Sequence, residues 1–289
     1  MTEVSRNAVT RFLFDELDIR GAVVQLDDVW QRIIAGRSYP APVQAMLGEM
    51  CAISAVIGAN LKQPGRLTFQ LSGHGPVSLL VIDCSEQLNL RGYARHEGEI
   101  GAASGLSTLL GDGRLLMSLE TEGARQPYQS YVPLEGDTVA ELFEHYLALS
   151  EQQPARLFLF ASDAHAVGLF LQKLPGADER DADGWNRIEQ LASTVKAEEL
   201  FTLSPEALLG RLFAEETLRV FAPVAVRHDF PPDRDKIATM LRSLGRAEIE
   251  DLLEKHGEIE IHDDLSNHHY RFDAEEARAL FADDRPTLH

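Results

Sequence analysis

The residues best suited to chemistry lie near the C-terminus. His228 with Asp229, His262 with Asp263 and Asp264, and His268 with His269 gather imidazoles and carboxylates, and both groups ligate zinc and similar metals. An imidazole is also a protonation switch between about pH 5 and pH 7. Extended geometry works against a shared site, because neighbours such as His268 and His269 point to opposite faces of a strand. A solvated histidine cluster is the expectation, with a His/Asp metal-binding protein as a minor alternative. The only cysteines are Cys51 and Cys84, so the C-terminal third can hold neither a thiolate zinc site nor a dithiol switch. Cys51 lies in the apolar stretch GEMCAISAVIGANL and Cys84 ends SLLVIDC; both read as buried small hydrophobes.

Elsewhere the motifs of catalysis are missing. The chain has no phosphate loop, no G-x-S-x-G elbow and no H-E-x-x-H. Gly73-His74-Gly75 lacks dinucleotide-binding spacing, and Pro76 blocks a helix there. Gly111-Asp112-Gly113 reads as a turn. No acid–base pair stands out among the 46 carboxylates. The chain is therefore expected not to be an enzyme, with no catalytic, cofactor or metal residue assigned.

The elements that would position these residues fall into three textures. Up to about Asp178, strands mix with helices. Phe12, Leu13 and Leu17 stand at helical spacing in Val9–Leu17, a short helix follows Asp27-Asp28, and a longer one runs from about Val43 to Leu61. In LTFQLSG, Leu67, Phe69 and Leu71 alternate with polar residues, as in a strand wet on one face. VSLLVIDC, NLRGYARH, RLLMSLE and YQSYVPLE extend this into sequential antiparallel strands. Thr138 with Glu141 forms a capping box for the next helix, and ARLFLFAS with AVGLFLQKLP gives a hairpin. The acidic, turn-rich GADERDADG then leads into two amphipathic helices. One is lined by Trp185, Ile188, Leu191, Ala192 and Val195. The other has Ser204 as N-cap and Pro205 at its first position. From Arg227 onward come helices closed at Gly245 and Gly257, a hairpin turning at Asp263–Asn267, and a last helix capped by Asp273 with Glu276.

The whole reads as an α+β protein. Its expected parts are an antiparallel-sheet-and-helix core over residues 1–178, a helical linker over 179–226, and a small helix-plus-hairpin domain over 227–289. A net charge of −19 across 289 residues disfavours nucleic acid and acidic membrane surfaces as partners. No basic and apolar leader opens the sequence. The most apolar window, Met50–Leu61, is short and contains Gly58 and Asn60, so no membrane-crossing helix is expected. Two cysteines in a chain of this length indicate a reducing compartment, and the expected location is the cytoplasm.

Collinear segments along nearly the whole chain carry a family likeness. VQLDDVWQ, YPAPV, LTFQLSGHGPVSLLVI, YQSYVPLEGDTVAELFEHYLALSEQQPARLFL, AEELFTLSPEALLGRLFAEETLRVF, LRSLGRAEIEDLLEKHGEIEIH and NHHYRFDAEE together resemble the 33-kDa redox-regulated heat-shock chaperones (chaperonins). The resemblance implies an α+β core, a helical linker and a small zinc domain, in dimers that hold unfolding proteins without ATP. In that family four cysteines, one C-x-C and one C-x-x-C, bind zinc. Their oxidation expels the metal, unfolds the switch domain and exposes an apolar client-binding surface. Here the four positions hold Phe230, Pro232, Asp263 and Ser266, none of which supplies a thiolate. The chain thus resembles a variant lacking the zinc ligands.

The resemblance implies a holdase for unfolding clients, a homodimer, and control without zinc–thiol switching. A non-chaperone interaction protein that keeps the fold is the alternative. Client contact is expected from Leu200, Phe201, Leu208, Leu209, Leu212 and Phe213. Structural zinc contributes about 10 kcal/mol to such a small domain, and a domain of roughly 60 residues is marginal without a staple. Its stability must then rest on Ile237, Leu241, Leu244, Ile249, Leu252, Leu253, Ile259, Ile261, Tyr270 and Phe272, and heat is the expected releasing signal.

Overall fold

The computed structural model describes residues 6–102 and 104–281, and the chain divides into two compact units, Met1–His228 and Asp229–His289. In chain order the first holds β1 (Ala8–Phe14), β2 (Ile19–Leu26), α1 (Asp28–Ile34), α2 (Ala41–Asn60), β3 (Gly65–Ser72), β4 (Val77–Cys84), β5 (Leu90–His96) and α3 (Leu106–Leu110). It continues with β6 (Arg114–Thr121), β7 (Tyr128–Pro133), α4 (Val139–Ser150), β8 (Ala155–Ala161), β9 (Ala166–Lys173) and α5 (Ala177–Arg180). It ends with α6 (Gly184–Ala192), α7 (Ala197–Thr202), α8 (Pro205–Leu212), β10 (Leu218–Val220) and β11 (Val224–Ala225). The second unit holds α9 (Arg234–Leu244), α10 (Arg246–His256), β12 (Ile259–Asp263), β13 (His268–Phe272) and α11 (Ala274–Ala279).

Two antiparallel sheets organise the first unit. One runs β10-β1-β2-β9-β8, with β11 also on β1; the other runs β5-β4-β3-β6-β7. Helix α2 packs on β2, β8 and β9 of the first sheet and on β3, β4 and β5 of the second. A helix between two sheets must be apolar all round, and α2 buries Val43, Met46, Leu47, Met50, Cys51, Ile53 and Val56. Gly48 permits the approach to the first sheet, because a Cβ there would stand 2.5 Å from the Ala161 Cβ. By length and composition α2 is apolar enough to cross a bilayer, contrary to the reading of its sequence. Of its most apolar window, 61% is buried inside the fold.

The strands at the start of the chain depart most from their sequence pattern. Spacing predicts a helix over Val9–Leu17, yet β1 lies there, and β2 carries no alternation at all. Both faces of the first sheet are buried: Val9, Ala22 and Val24 face α2, while Phe12, Phe14, Ile19 and Val23 face the opposite way. A sheet buried on both faces loses its period of two. The segment between Ala192 and Ser204 also differs, since it forms a third short helix, α7, between the two predicted. The acidic stretch after Pro175 includes the one-turn α5, tied down by Lys173–Asp178 at 2.6 Å and Arg180–Asp18 at 2.7 Å. The capping box of Thr138 with Glu141 and the N-cap of Ser204 form as expected.

The second unit closes around its own core. Ile237, Leu241, Ile249, Leu253, Ile259, Tyr270 and Phe272 are buried, together with Ala277 of the last helix and Phe281 just after it. Leu244, expected in that core, is 51% exposed; it is the final residue of α9, at the rim. The hairpin register pairs Ile259 with Phe272 and His262 with His269, and Asn267 takes the left-handed turn at φ +58°.

Candidate functional site

The first sheet turns one apolar face to α2 and the other to a cover made of α6, α7 and α8. On the sheet side stand Phe12, Phe14, Ile19, Val23, Val167, Leu169 and Leu171. From the cover come Ile188, Ala192, Leu200, Leu208, Leu209, Leu212 and Phe213. Phe213 stacks edge-on against Phe14 at 5.0 Å and lies 6.3 Å from Phe12, which packs against Phe14 at 5.7 Å. Phe12 in turn lies across Gly21 of β2, where an added Cβ would meet its Cζ at 2.2 Å. That glycine is required for the ring to lie flat on the sheet.

Each cover helix is short: nine, six and eight residues. Helices below roughly 12–15 residues are marginal in water, so these hold their shape only while their apolar faces are on the sheet. Polar side chains fix their position. Gln25, buried on β2, donates through Nε2 to the Leu200 carbonyl at 2.8 Å and the Leu203 carbonyl at 2.9 Å. Arg156 on β8 joins Glu189 of α6 to Glu144 of α4. Arg187 spans Asp181 and Glu216 at 3.0 and 2.9 Å. The His165 ring stacks on Phe201 at 5.4 Å while its Nδ1 meets Asp27 at 2.8 Å. Asp27 also pairs with Arg6, which donates to the Phe201 carbonyl.

Five of the six expected contact residues, Leu200, Leu208, Leu209, Leu212 and Phe213, are buried in this interface, and Phe201 is partly buried beside it. Of the facing sheet residues, Phe12, Phe14, Ile19 and Val23 had no local signal, because they come from strands 150 or more residues from the cover.

The four positions at which the resemblance implies zinc ligands, Phe230, Pro232, Asp263 and Ser266, lie in the second unit. Asp263 and Ser266 now close the hairpin turn: Asp263 Oδ1 accepts from the Leu265 amide at 3.1 Å and the Ser266 amide at 3.3 Å. Burial works to raise the Asp263 carboxyl, but hydrogen bonds from Ser266 and Leu265 prevail and hold it below the usual range. Phe230 contributes its carbonyl to His268 Nε2, and the Tyr270 hydroxyl accepts from the Asp233 amide at 2.9 Å. The segment bearing Phe230 is thus stitched to the hairpin by hydrogen bonds between the two stretches a metal would join. His262 and His269 stack at 4.1 Å, with His262 bonded to Asp264 and Asn267. Among the described residues no group of three or more His, Cys, Asp or Glu is arranged to hold a metal. With Phe and Pro at two positions, the donor set does not fit zinc.

Cys51 and Cys84 are free and buried. Burial pushes the Cys51 thiol far above its ordinary value and the Cys84 thiol up to about 12, which suppresses the reactive thiolate.

A family model described as Hsp33 protein matches residues 7–273. The chain is 40% identical over 280 residues to the 33 kDa chaperonin of Shewanella woodyi, covering 96% of this chain and 97% of that one. It is 41% identical to the 33 kDa chaperonin of Nitrosococcus oceani, with 96% of each chain covered. Its fold is similar to the crystal structure of the 33 kDa chaperonin of Thermotoga maritima. There the TM-score is 0.80 at 22% identity, over 95% of this chain and 97% of that one.

Proposed function

The chain belongs to the Hsp33 family and is a chaperone, and from that premise we propose that it is an ATP-independent holdase whose client surface is the interface under the cover. The observation that carries this reading is the doubly buried first sheet: one face is closed by a 20-residue helix, the other by three helices of six to nine residues. When the cover leaves, Leu200, Phe201, Leu208, Leu209, Leu212 and Phe213 become available together with Phe12, Phe14, Ile19 and Leu169 opposite them. Both sides then present contiguous apolar surface, which is what binds unfolding chains without sequence preference. Residues 179–226 act as the linker of this device, and residues 227–289 form the small C-terminal domain.

Release is thermal and independent of zinc and thiols. Support comes from the unsuitable donor set at Phe230, Pro232, Asp263 and Ser266, and from two free cysteines buried in the core shared by the two sheets of the first unit. A homodimer follows from the resemblance and a cytoplasmic location from the low cysteine content, and light scattering on the purified chain measures the former.

The test is suppression of aggregation of a heat-unfolding client, read by light scattering at two temperatures with and without peroxide. The expected result is strong suppression at the higher temperature, unaffected by peroxide. No suppression under any of the four conditions overturns the reading.

A further inference from the structure

We propose that a cavity at the edge of the cover is a small-molecule site for an uncharged amphiphile bearing a hydrogen-bond donor, and that its occupant holds the cover on the sheet. The second half of this inference rests on the functional reading above; the site itself does not.

The cavity has a volume of about 190 Å³. That is below the roughly 300–1,000 Å³ of sites for drug-sized ligands, so the occupant is fragment-sized. Its apolar walls are Ala8, Leu203, Pro205 and Pro223, and its polar walls include Arg6, Thr10, Gln25 and Ser204. Thr10 is 3% exposed and Gln25 4%. Gln25 commits Nε2 to the Leu200 and Leu203 carbonyls. Its Oε1 and the Thr10 hydroxyl have no hydrogen-bond partner among the described residues, and neither is sealed from solvent, so both can meet a molecule in the cavity that their residues line. Two such groups on one wall ask for a ligand that donates to Gln25 Oε1 and exchanges a hydrogen bond with Thr10.

Charge selects the class further. The Arg6 guanidinium is already balanced by Asp27 at 3.1 Å. A carboxylate ligand would add a second anion beside Asp27, in a chain of net charge −19. A neutral carboxamide or hydroxyl on a compact apolar body fits instead, with the two prolines and Leu203 against the body.

The position gives the consequence. The walls come from β1 and β2, from the α7–α8 turn at Leu203–Pro205, and from Pro223 in the loop between β10 and β11. A ligand touching all three binds only while the cover is seated, and mass action then opposes its release.

Benzamide is the probe, titrated into the full-length chain and followed by two-dimensional amide NMR and hydrogen exchange. About nine heavy atoms support a dissociation constant near a millimolar. The expected result is saturable shifts at the Ala8, Thr10, Gln25 and Leu203 amides. At about ten times the dissociation constant, exchange of the Leu200 and Leu208 amides should slow roughly tenfold. Benzoate should bind at least about tenfold more weakly, one factor of ten being about 1.4 kcal/mol. Ala8→Leu fills the cavity and should abolish the shifts. Thr10→Val, which keeps the shape and removes the hydroxyl, should weaken them and serves if the first variant does not fold. Absence of saturable shifts, persistence of binding in both variants, or tighter binding of benzoate overturns the site as assigned. Saturable binding with unchanged exchange overturns the claim that the occupant holds the cover. Binding with slowed exchange, in a chain that never suppresses aggregation, sustains this inference and overturns only the functional reading.

Discussion

The two faces of the first sheet are alike in side chains and unlike in what covers them. Val9, Val24 and Leu26 lie under α2, while Phe12, Phe14, Ile19 and Val23 lie under α6–α8. On the α2 side one helix of 20 residues bridges two sheets, so losing its contacts means losing the fold. On the cover side three helices, each too short to persist alone, pack on one sheet only. Burial of equal quality can therefore be permanent on one face and reversible on the other. What decides is how many other elements must come apart before the face opens, in line with the general separation of local from global unfolding.

Matched leucine truncations give the sharpest break. Leu47 on α2 and Leu208 on α8 are both fully buried, and Leu→Ala at such sites costs about 2–5 kcal/mol. Leu47→Ala should lower the melting temperature of the first unit by about 5–15 °C. Leu208→Ala should leave the main transition nearly in place, speed amide exchange across 184–213, and raise aggregation suppression at moderate temperature. Equal losses of melting temperature from both variants would show that the two faces open together.

Acidity should act on the permanent face. Glu49 lies on α2 with no ion-pair partner among the described residues, and burial pushes its carboxyl up to about 7 from an ordinary value of 4.5. Between those values the folded state keeps a proton that the unfolded state has released. Stability is therefore full below about pH 4.5, falls as pH rises through about 7 by roughly 3 kcal/mol, and is level above. Glu49→Gln should erase that contribution to the slope, so the variant melts higher than the parent near pH 8 and close to it near pH 4.5. Parallel melting curves at both pH values would remove Glu49 from the account.

The sequence disclosed these two faces unequally. The long apolar stretch of α2 and the stripe of Leu208, Leu209 and Leu212 are legible, because helical periodicity is local. So are the caps at Thr138, Ser204 and Asp273, each a short-range hydrogen-bond pattern. The strands β1 and β2 are not, because double burial erased their alternation and left Phe12, Leu13 and Leu17 at an accidental helical spacing. The sheet half of the interface escaped for a related reason. Phe12 meets Phe213 across 200 residues of chain, and nothing within reach of a sequence window records that pairing. The Gln25 side chain, buried to reach two carbonyls on the α7 side, is invisible in sequence for the same cause.

Gln25 offers a smaller test, on the reversible face alone. Gln25→Leu removes the donor to the Leu200 and Leu203 carbonyls while keeping the volume nearly constant. Leaving a buried acceptor unsatisfied costs about 1–3 kcal/mol. The cover should open more often, seen as faster exchange around α7 and earlier onset of aggregation suppression on heating, with the melting of α2 and the second sheet unchanged. If exchange around α7 stays at parental rates, the amide is not a latch.

The smallest expected effect is none, and it discriminates between the faces most cleanly. Both cysteines belong to the α2 side: Cys51 is on α2 itself and Cys84 ends β4, each in the core shared by the two sheets. Burial holds the Cys84 thiol up at about 12 and Cys51 higher, so at neutral pH the thiolate fraction is on the order of 10⁻⁵ or less, and thiolate is the species that peroxide oxidises. Peroxide treatment should leave both the melting temperature and the aggregation suppression of the native chain unchanged. Should suppression rise with peroxide, the melting temperature separates two causes. A rise accompanied by a large loss of melting temperature would mean that oxidation had reached the core and opened the permanent face. A rise at constant melting temperature would place an oxidant-sensitive group at the cover, and the thiol-independent release proposed for this chain would have to be given up.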